Sequence, residues 1–215
     1  QEVLVERKVI VPELIVIRAL ACLAVVLMHS ITMMIGDPEV NRHLNIARLL
    51  LLFATPTFAY MSAFLIGFSK TKRSYGQTIL RRVQYLILPY LAFAVFYAAW
   101  QSYQWGIPFL DRVWYNARGG YHGYFVLVVM QFYLFHPLFK GLMDRLPAWV
   151  VLPIAALVNA GYLAALNLTL VTLPDWGFNW YHFFPAWVFY YVLGYYSGRD
   201  RDQFQIVLRR FWPLT

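Results

Sequence analysis

Charge and cysteine are both scarce in this chain. Asp, Glu, Lys and Arg make up only 13% of the 215 residues, against 61% hydrophobic ones. That balance excludes an ordinary soluble domain and leaves an all-α, polytopic transmembrane helical bundle as the expected class. The single cysteine, Cys22, falls inside the first apolar run, so neither a disulfide framework nor a cysteine metal site can be built. No pair of the five histidines has the spacing of a motif such as HExxH, and no metal is expected. Strand-like alternation is missing, which argues against a β-barrel. Internal repeats and low-complexity tracts are missing too. The first apolar run is too long, and has no small-residue cleavage site, for a cleaved leader. The net charge of +8 is scattered along the chain instead of forming one patch, so nucleic acid is not an expected partner.

What remains is long apolar runs. Six can be marked: Pro12 to Ile35, Asn45 to Ser69, Val83 to Tyr103, Gly123 to Met143, Ala148 to Leu173 and Phe178 to Gly198. The loops between them alternate in charge. Arg7 and Lys8, then Lys70, Lys72, Arg73, Arg81 and Arg82, then Lys140 and Arg145, and finally Arg199, Arg201, Arg209 and Arg210 belong to one set. The other set holds Arg42, Arg112 and Arg118, so thirteen basic residues face three. By the positive-inside rule both ends of this chain are expected in the cytoplasm of a multi-pass membrane protein. Trp100, Trp105, Trp114, Trp176 and Trp180 then fall near outer helix ends, as an interfacial belt would, with sugar stacking a second use for Trp105, Trp114 or Trp176. Gln104 to Tyr121 reads as the longest outer loop. Residues 1–215 form a single membrane domain on this reading, one expected to continue past Thr215. The stretch RDRDQFQIVLRRFWPLT reads as a cytoplasmic linker or as the start of a further helix.

The first run, PELIVIRALACLAVVLMHSITMMI, carries the most informative polar residues. Arg18 and His29 are eleven positions apart, which returns to within roughly 20° on a helix and separates them by about 16 Å along its axis. One stripe thus bears a cation and an imidazole at two depths. A charge near the bilayer centre costs about 2.5 to 3.5 kcal/mol even on the lenient scale, so such groups face protein or a wet cavity. The structural alternatives are an ion pair of Arg18 with Glu13 and a helix-bridging hydrogen bond from His29. Arg48, about a turn inside the second run, either pairs with Asp37 or Glu39 or binds an acceptor. His122 and His182 sit at helix ends, and His136 precedes Pro137, whose freed backbone groups it could satisfy. Ser62 lacks a GxSxG elbow and reads as a packing residue.

Several stretches resemble the bacterial acyltransferase type 3 family. PELIVIRALACLAVVLMH is similar to its first transmembrane helix, where an arginine is followed after ten residues by a histidine, here Arg18 and His29. TPTFAYMSAFLIGF resembles the "FF..SGFL" segment, with Ser62 in place and Ala63 where glycine is common. ILRRVQYLILPYL resembles the basic stretch leading into "LPY", through Arg81, Arg82, Leu88, Pro89 and Tyr90. YHGYFVLVVMQFYLFHPL and FFPAWVFYYVLGYYSG resemble two later helices, so the likeness runs from Pro12 to Gly198. Members usually have about ten such helices, and the arginines of the basic stretch are often spaced where Arg81 and Arg82 are adjacent.

The resemblance implies an acyl-CoA-dependent O-acyltransferase. An acetyl or similar acyl group would pass from cytoplasmic acyl-CoA, with no metal, to a hydroxyl of an extracytoplasmic polysaccharide or glycan. Lys72, Arg73, Arg81 and Arg82 would hold the donor's anionic oxygens, and Arg18 would continue that path. His29 would serve as general base or as transient acyl carrier. Arg48 and Trp114 would bind the acceptor. For Arg81 and Arg82 the alternative is a topology signal facing lipid headgroups. Competing whole-protein readings are a transporter or flippase for a lipid-linked sugar or acyl carrier, and a noncatalytic scaffold.

Overall fold

The computed structural model of the protein describes residues 12–35, 41–69, 74–169 and 179–211. Among these residues there is no strand, and helices dominate, as the composition requires. Five stretches are long and apolar enough to cross a membrane: Pro12–Ile35, Arg42–Phe68, Tyr75–Trp105, Phe109–Arg145 and Ala148–Asn167. A helical membrane bundle is the architecture that fits. The sixth expected run differs. Its last part is a helix of only 12 residues, Val188–Arg199, preceded by two single turns at Trp180–His182 and Phe184–Ala186. At about 1.5 Å per residue it is near 18 Å long, short of a bilayer. Pro185 and the polar Asn179 and His182 fragment the approach to it.

The chain divides into two units, residues 1–61 and 62–215. In the first, α1 (Pro12–Ile35) is followed by α2 (Arg42–Leu50), and a single turn at Leu51–Phe53 leads into α3 (Ala54–Phe68). Its core is made of small side chains: Ala21 and Ala24 of α1 close on Ala54, with Val25, Leu51 and Phe58 filling in around them. Helices packed through alanine approach closely, which is how lipid-embedded helices gain dispersion contacts when hydrophobic burial offers nothing over lipid.

The second unit takes in the end of α3, then α4 (Tyr75–Arg82), α5 (Leu88–Trp105), α6 (Phe109–Ala117), α7 (Phe125–Arg145), α8 (Ala148–Asn167), α9 (Val188–Arg199) and α10 (Arg201–Phe211). A capping box starts α4: Gln77 N–H donates to Ser74 Oγ at 3.3 Å, and Ser74 N–H donates to Gln77 Oε1 at 3.3 Å. A five-residue π turn, Val83–Ile87, joins α4 to α5, with Leu88 N–H bonded to the Val83 carbonyl five residues back. Pro89 explains its place, because proline cannot donate to the carbonyl four residues earlier and the helix widens there. After Trp105 the chain turns at Gly106, which adopts φ 65°, and α6 folds back along α5. Gln104 to Tyr121 is therefore mostly helix, not loop. Amphipathicity over FLDRVWYNA explains it, since α6 lays one face on α5 and exposes the other.

Two glycines fix the crossing of the α3 end with α9. A Cβ on Gly67 would fall on the carbonyl of Tyr195, and one on Gly198 on the carbonyl of Phe64. Each helix thus inserts its bare backbone against the other, the arrangement that small residues permit in membranes. Gly141, with open space around it, makes no such contact. Gly198→Leu is expected to force these helices apart, with a loss of about 1–3 kcal/mol or more. Gly141→Ala should leave stability unchanged or slightly raised. Thermal melting of the purified protein in detergent, followed by size exclusion, checks both; equal melting midpoints for Gly198→Leu and the parent would refute the crossing.

Candidate functional site

In the first unit Arg18 and His29 stand on one uninterrupted helix, so their separation of about 16 Å and their shared azimuth follow directly from helix geometry. The buried residues of α1 are Leu14, Ala21, Ala24 and Ile35. At about 100° per residue, Arg18 and His29 both fall on one flank of that stripe. Arg18 is exposed and His29 half-buried. Arg48, half-buried on α2, is held by a neutral partner: its Nε and Nη2 donate to Asn45 Oδ1 at 3.3 and 3.0 Å. Asp37 and Glu39, its expected carboxylate partners, lie outside the described residues. An amide steers a guanidinium without neutralising it, so Arg48 keeps its charge and its remaining donors.

In the second unit Arg81 and Arg82 end α4, each over a different ring. The Arg81 guanidinium lies 5.5 Å from the Tyr85 centroid, and that of Arg82 lies 4.4 Å from Tyr133. Cation–π contact holds these cations in place without cancelling their charge. Tyr75, at the start of the same helix, donates its hydroxyl to the Leu134 carbonyl at 3.0 Å and fixes α4 against α7. Lys72 and Arg73 lie outside the described residues. Trp114 is 64% exposed on α6, with the Arg118 guanidinium 5.4 Å from its ring and Arg118 Nε donating to its carbonyl. Behind it Asn116 is fully buried, donating to the Ala94 carbonyl at 3.2 Å and to Gln101 Oε1 at 3.0 Å. Tyr90 donates to the Asn116 carbonyl at 2.7 Å, and Tyr121 to the Tyr90 carbonyl at 2.7 Å.

The α7–α9 seam is the most polar contact. His136 Nδ1 and the Tyr191 hydroxyl are 2.9 Å apart, and the Tyr195 hydroxyl donates to Asp144 Oδ1 at 3.0 Å. Asp144 also forms an ion pair with Lys140. Arg199 donates to the Met143 carbonyl at 2.7 Å and grips Asp200 through Nε and Nη2 at 2.9 and 2.6 Å. His136 thus bonds a tyrosine, not the backbone freed by Pro137. No group of three or more His, Cys, Asp or Glu able to hold a metal occurs among the described residues.

A family model described as an acyltransferase domain matches residues 11–215. The chain belongs to the acyltransferase type 3 family. It is 29% identical over 217 residues to a Bacillus subtilis protein named "Putative membrane-bound acyltransferase YfiQ", covering 94% of this chain and 60% of that one. It is 25% identical to a Staphylococcus aureus protein named "Probable poly-beta-1,6-N-acetyl-D-glucosamine export protein", covering 93% and 60%. A Staphylococcus epidermidis protein of the same name is 24% identical over 93% and 59%. The chain therefore spans about 60% of the length of the curated relatives it matches. No solved structure matches it.

Sequence reading of this chain misses the α7–α9 seam, although the signal is present. His136, Lys140 and Asp144 recur every four residues on α7, and Tyr191, Tyr195 and Arg199 do so on α9. Two polar stripes of helical period on neighbouring apolar helices are a pairing code. It misses the setting of His182 as well. That ring stacks on Tyr124 with centroids 4.0 Å apart and planes 8° from parallel, and its Nδ1 is enclosed without a partner among the described residues. Gln131 holds the turn around it by donating to the His182 carbonyl at 2.8 Å and accepting from Phe184 N–H at 2.9 Å. Outside the five long apolar stretches, burial pushes the His182 imidazole down to about 4.

The sign of the resulting pH dependence is fixed by that depression. Between the ordinary histidine value of about 6.5 and 4, the unfolded chain binds a proton that the folded one refuses, so stability falls as pH drops through that window and levels off below it. Melting temperature followed from pH 7 to 4 should show this decline. His182→Phe, which keeps the stack on Tyr124 and cannot be protonated, should flatten it; an unchanged slope in that variant would refute the assignment.

Proposed function

We propose that this acyltransferase moves an acetyl or similar acyl group from cytoplasmic acyl-CoA to a hydroxyl of an extracytoplasmic polysaccharide. The observation that carries the reading is the pairing of Arg18 and His29 on one flank of a single apolar helix long enough to cross the bilayer. A transfer across a membrane needs one group at the donor's depth and another at the acceptor's, and these two are spaced for that. Arg82 and Arg81, set by Tyr133 and Tyr85, with Lys72 and Arg73 before them, receive the phosphates of the donor. Arg18, about 16 Å along the helix from His29, continues that path by clamping the donor's pyrophosphate at the inner depth. His29 takes the proton of the acceptor hydroxyl, the oxygen attacks the carbonyl carbon, and the C–S bond breaks. The proton then leaves with the thiolate as CoA thiol. Arg48, held uncompensated by Asn45, and Trp114 bind the acceptor glycan.

A family of acyltransferases with a membrane-bound relative supports this chemistry, and relatives named for a glucosamine polymer support a glycan as acceptor. The same names favour one second reading, in which the protein exports such a polymer. Label transfer separates the two. Purified full-length protein given labelled acetyl-CoA and an amino-sugar polymer should acetylate it; His29→Ala should lower the rate by about 10²- to 10⁴-fold, and His136→Ala should lower it far less. Polymer movement into vesicles without label transfer would favour export, and turnover retained in His29→Ala would discard the mechanism.

A further inference from the structure

At the junction of α9 and α10 lies a cleft of about 400 Å³, within the range of about 300–1,000 Å³ typical of small-molecule sites. Its walls are Phe68 at the end of α3 and the run from Arg199 to Gln203, and its floor is the glycine crossing. The charge pattern is informative. Arg199 is already engaged bidentately by Asp200, and Asp202 adds a second carboxylate. Two guanidiniums and two carboxylates leave the cleft no net positive charge, so it does not suit a phosphate. What it offers is a neutral, flat and hydrogen-bonding environment. The Arg201 guanidinium, backed by the Phe68 ring 5.6 Å away, supplies a planar face. Among the described residues Arg201 makes no ion pair or hydrogen bond. Asp202 accepts hydrogen bonds, and the Gln203 amide both donates and accepts. Those are the complements of a purine's exocyclic amine and ring nitrogens.

Sequence position supplies the rest. Phe68 is followed directly by Ser69 and the basic segment Lys70 to Arg82, which the donor reading assigns to the phosphates. We infer that this cleft holds the adenine of the acyl-CoA donor, stacked on the Arg201 guanidinium that Phe68 backs, and read at its edge by Asp202 and Gln203. The inference rests on the acyl-CoA reading above and adds to it a base-recognition subsite separate from the phosphate-binding arginines. Adenine held there anchors the far end of the donor, leaving the pantetheine arm to carry the thioester into the membrane.

A truncated donor tests it. The full-length protein is assayed with acetyl-CoA and with S-acetyl-4′-phosphopantetheine, which keeps the thioester and one phosphate but has no adenosine. The parent protein should prefer acetyl-CoA. In Arg201→Ala and in Gln203→Ala the ratio of kcat/KM for acetyl-CoA to that for the truncated donor should fall roughly tenfold, since losing a stacking contact to a base weakens binding by about 5- to 100-fold. Variants that merely fold badly lower both values by the same factor and leave the ratio intact, which would overturn the assignment, as would a ratio equal to the parent's in variants of full activity. Transfer from neither donor by the parent protein would remove the acyl-CoA reading and this subsite with it.

Discussion

Backbone carbonyls that helix breaks leave open must be met inside the protein, because lipid offers no donor. In this chain tyrosine hydroxyls meet many of them. Tyr90 reaches the Asn116 and Ala117 carbonyls where α6 ends, Tyr196 reaches those of Met143 and Leu146 where α7 ends, and Tyr162 reaches Trp180 in the turns before α9. Tyr75 and Tyr121 bond carbonyls within helices instead, those of Leu134 and Tyr90. Tyrosine suits such positions because its ring adds apolar contact along a neighbouring helix while its single polar atom sits at the tip. Each such bond links two elements distant in sequence, so the helices are fastened where they stop, the weakest points of any membrane fold.

A related scarcity governs the cations. Carboxylates are few, and only two ion pairs, Lys140 with Asp144 and Arg199 with Asp200, occur among the described residues. Aromatic faces lie beneath Arg81, Arg82, Arg112 and Arg201 instead. The functional consequence is direct. A guanidinium resting on a ring keeps its full charge and most of its donors, while one locked to a carboxylate has both already engaged. In the proposed function, arginines positioned in this neutral way meet the anionic donor, and Asn45 positions Arg48 likewise.

How much of this is legible in the sequence depends on period and length. The first helix can be read to the residue, because Pro12 opens an apolar-rich run of 24 positions without a break. The alternation of charge between loops and the stripe shared by Arg18 and His29 need only helix geometry. By contrast α6 is hidden inside an apparent loop, since its nine residues are amphipathic and flanked by Gly106, Gly119 and Gly120, which read as punctuation. The sixth run is apolar enough to count as a span, yet Pro185 and the turns at Trp180 and Phe184 cut its helix short. Asn116 cannot be recognised as buried from its neighbours in sequence; its burial comes from Ala94 and Gln101 on another helix.

The π turn at Val83–Ile87 has a consequence for how this family can vary. Such a turn accommodates one surplus residue in a helix, and each residue corresponds to about 100° of rotation. Removing one position between Val83 and Ile87 would restore regular winding and swivel everything before it, Arg81 and Arg82 included, without altering a single side chain at that end. A length change of one residue is therefore a dial for the direction in which the arginine pair faces.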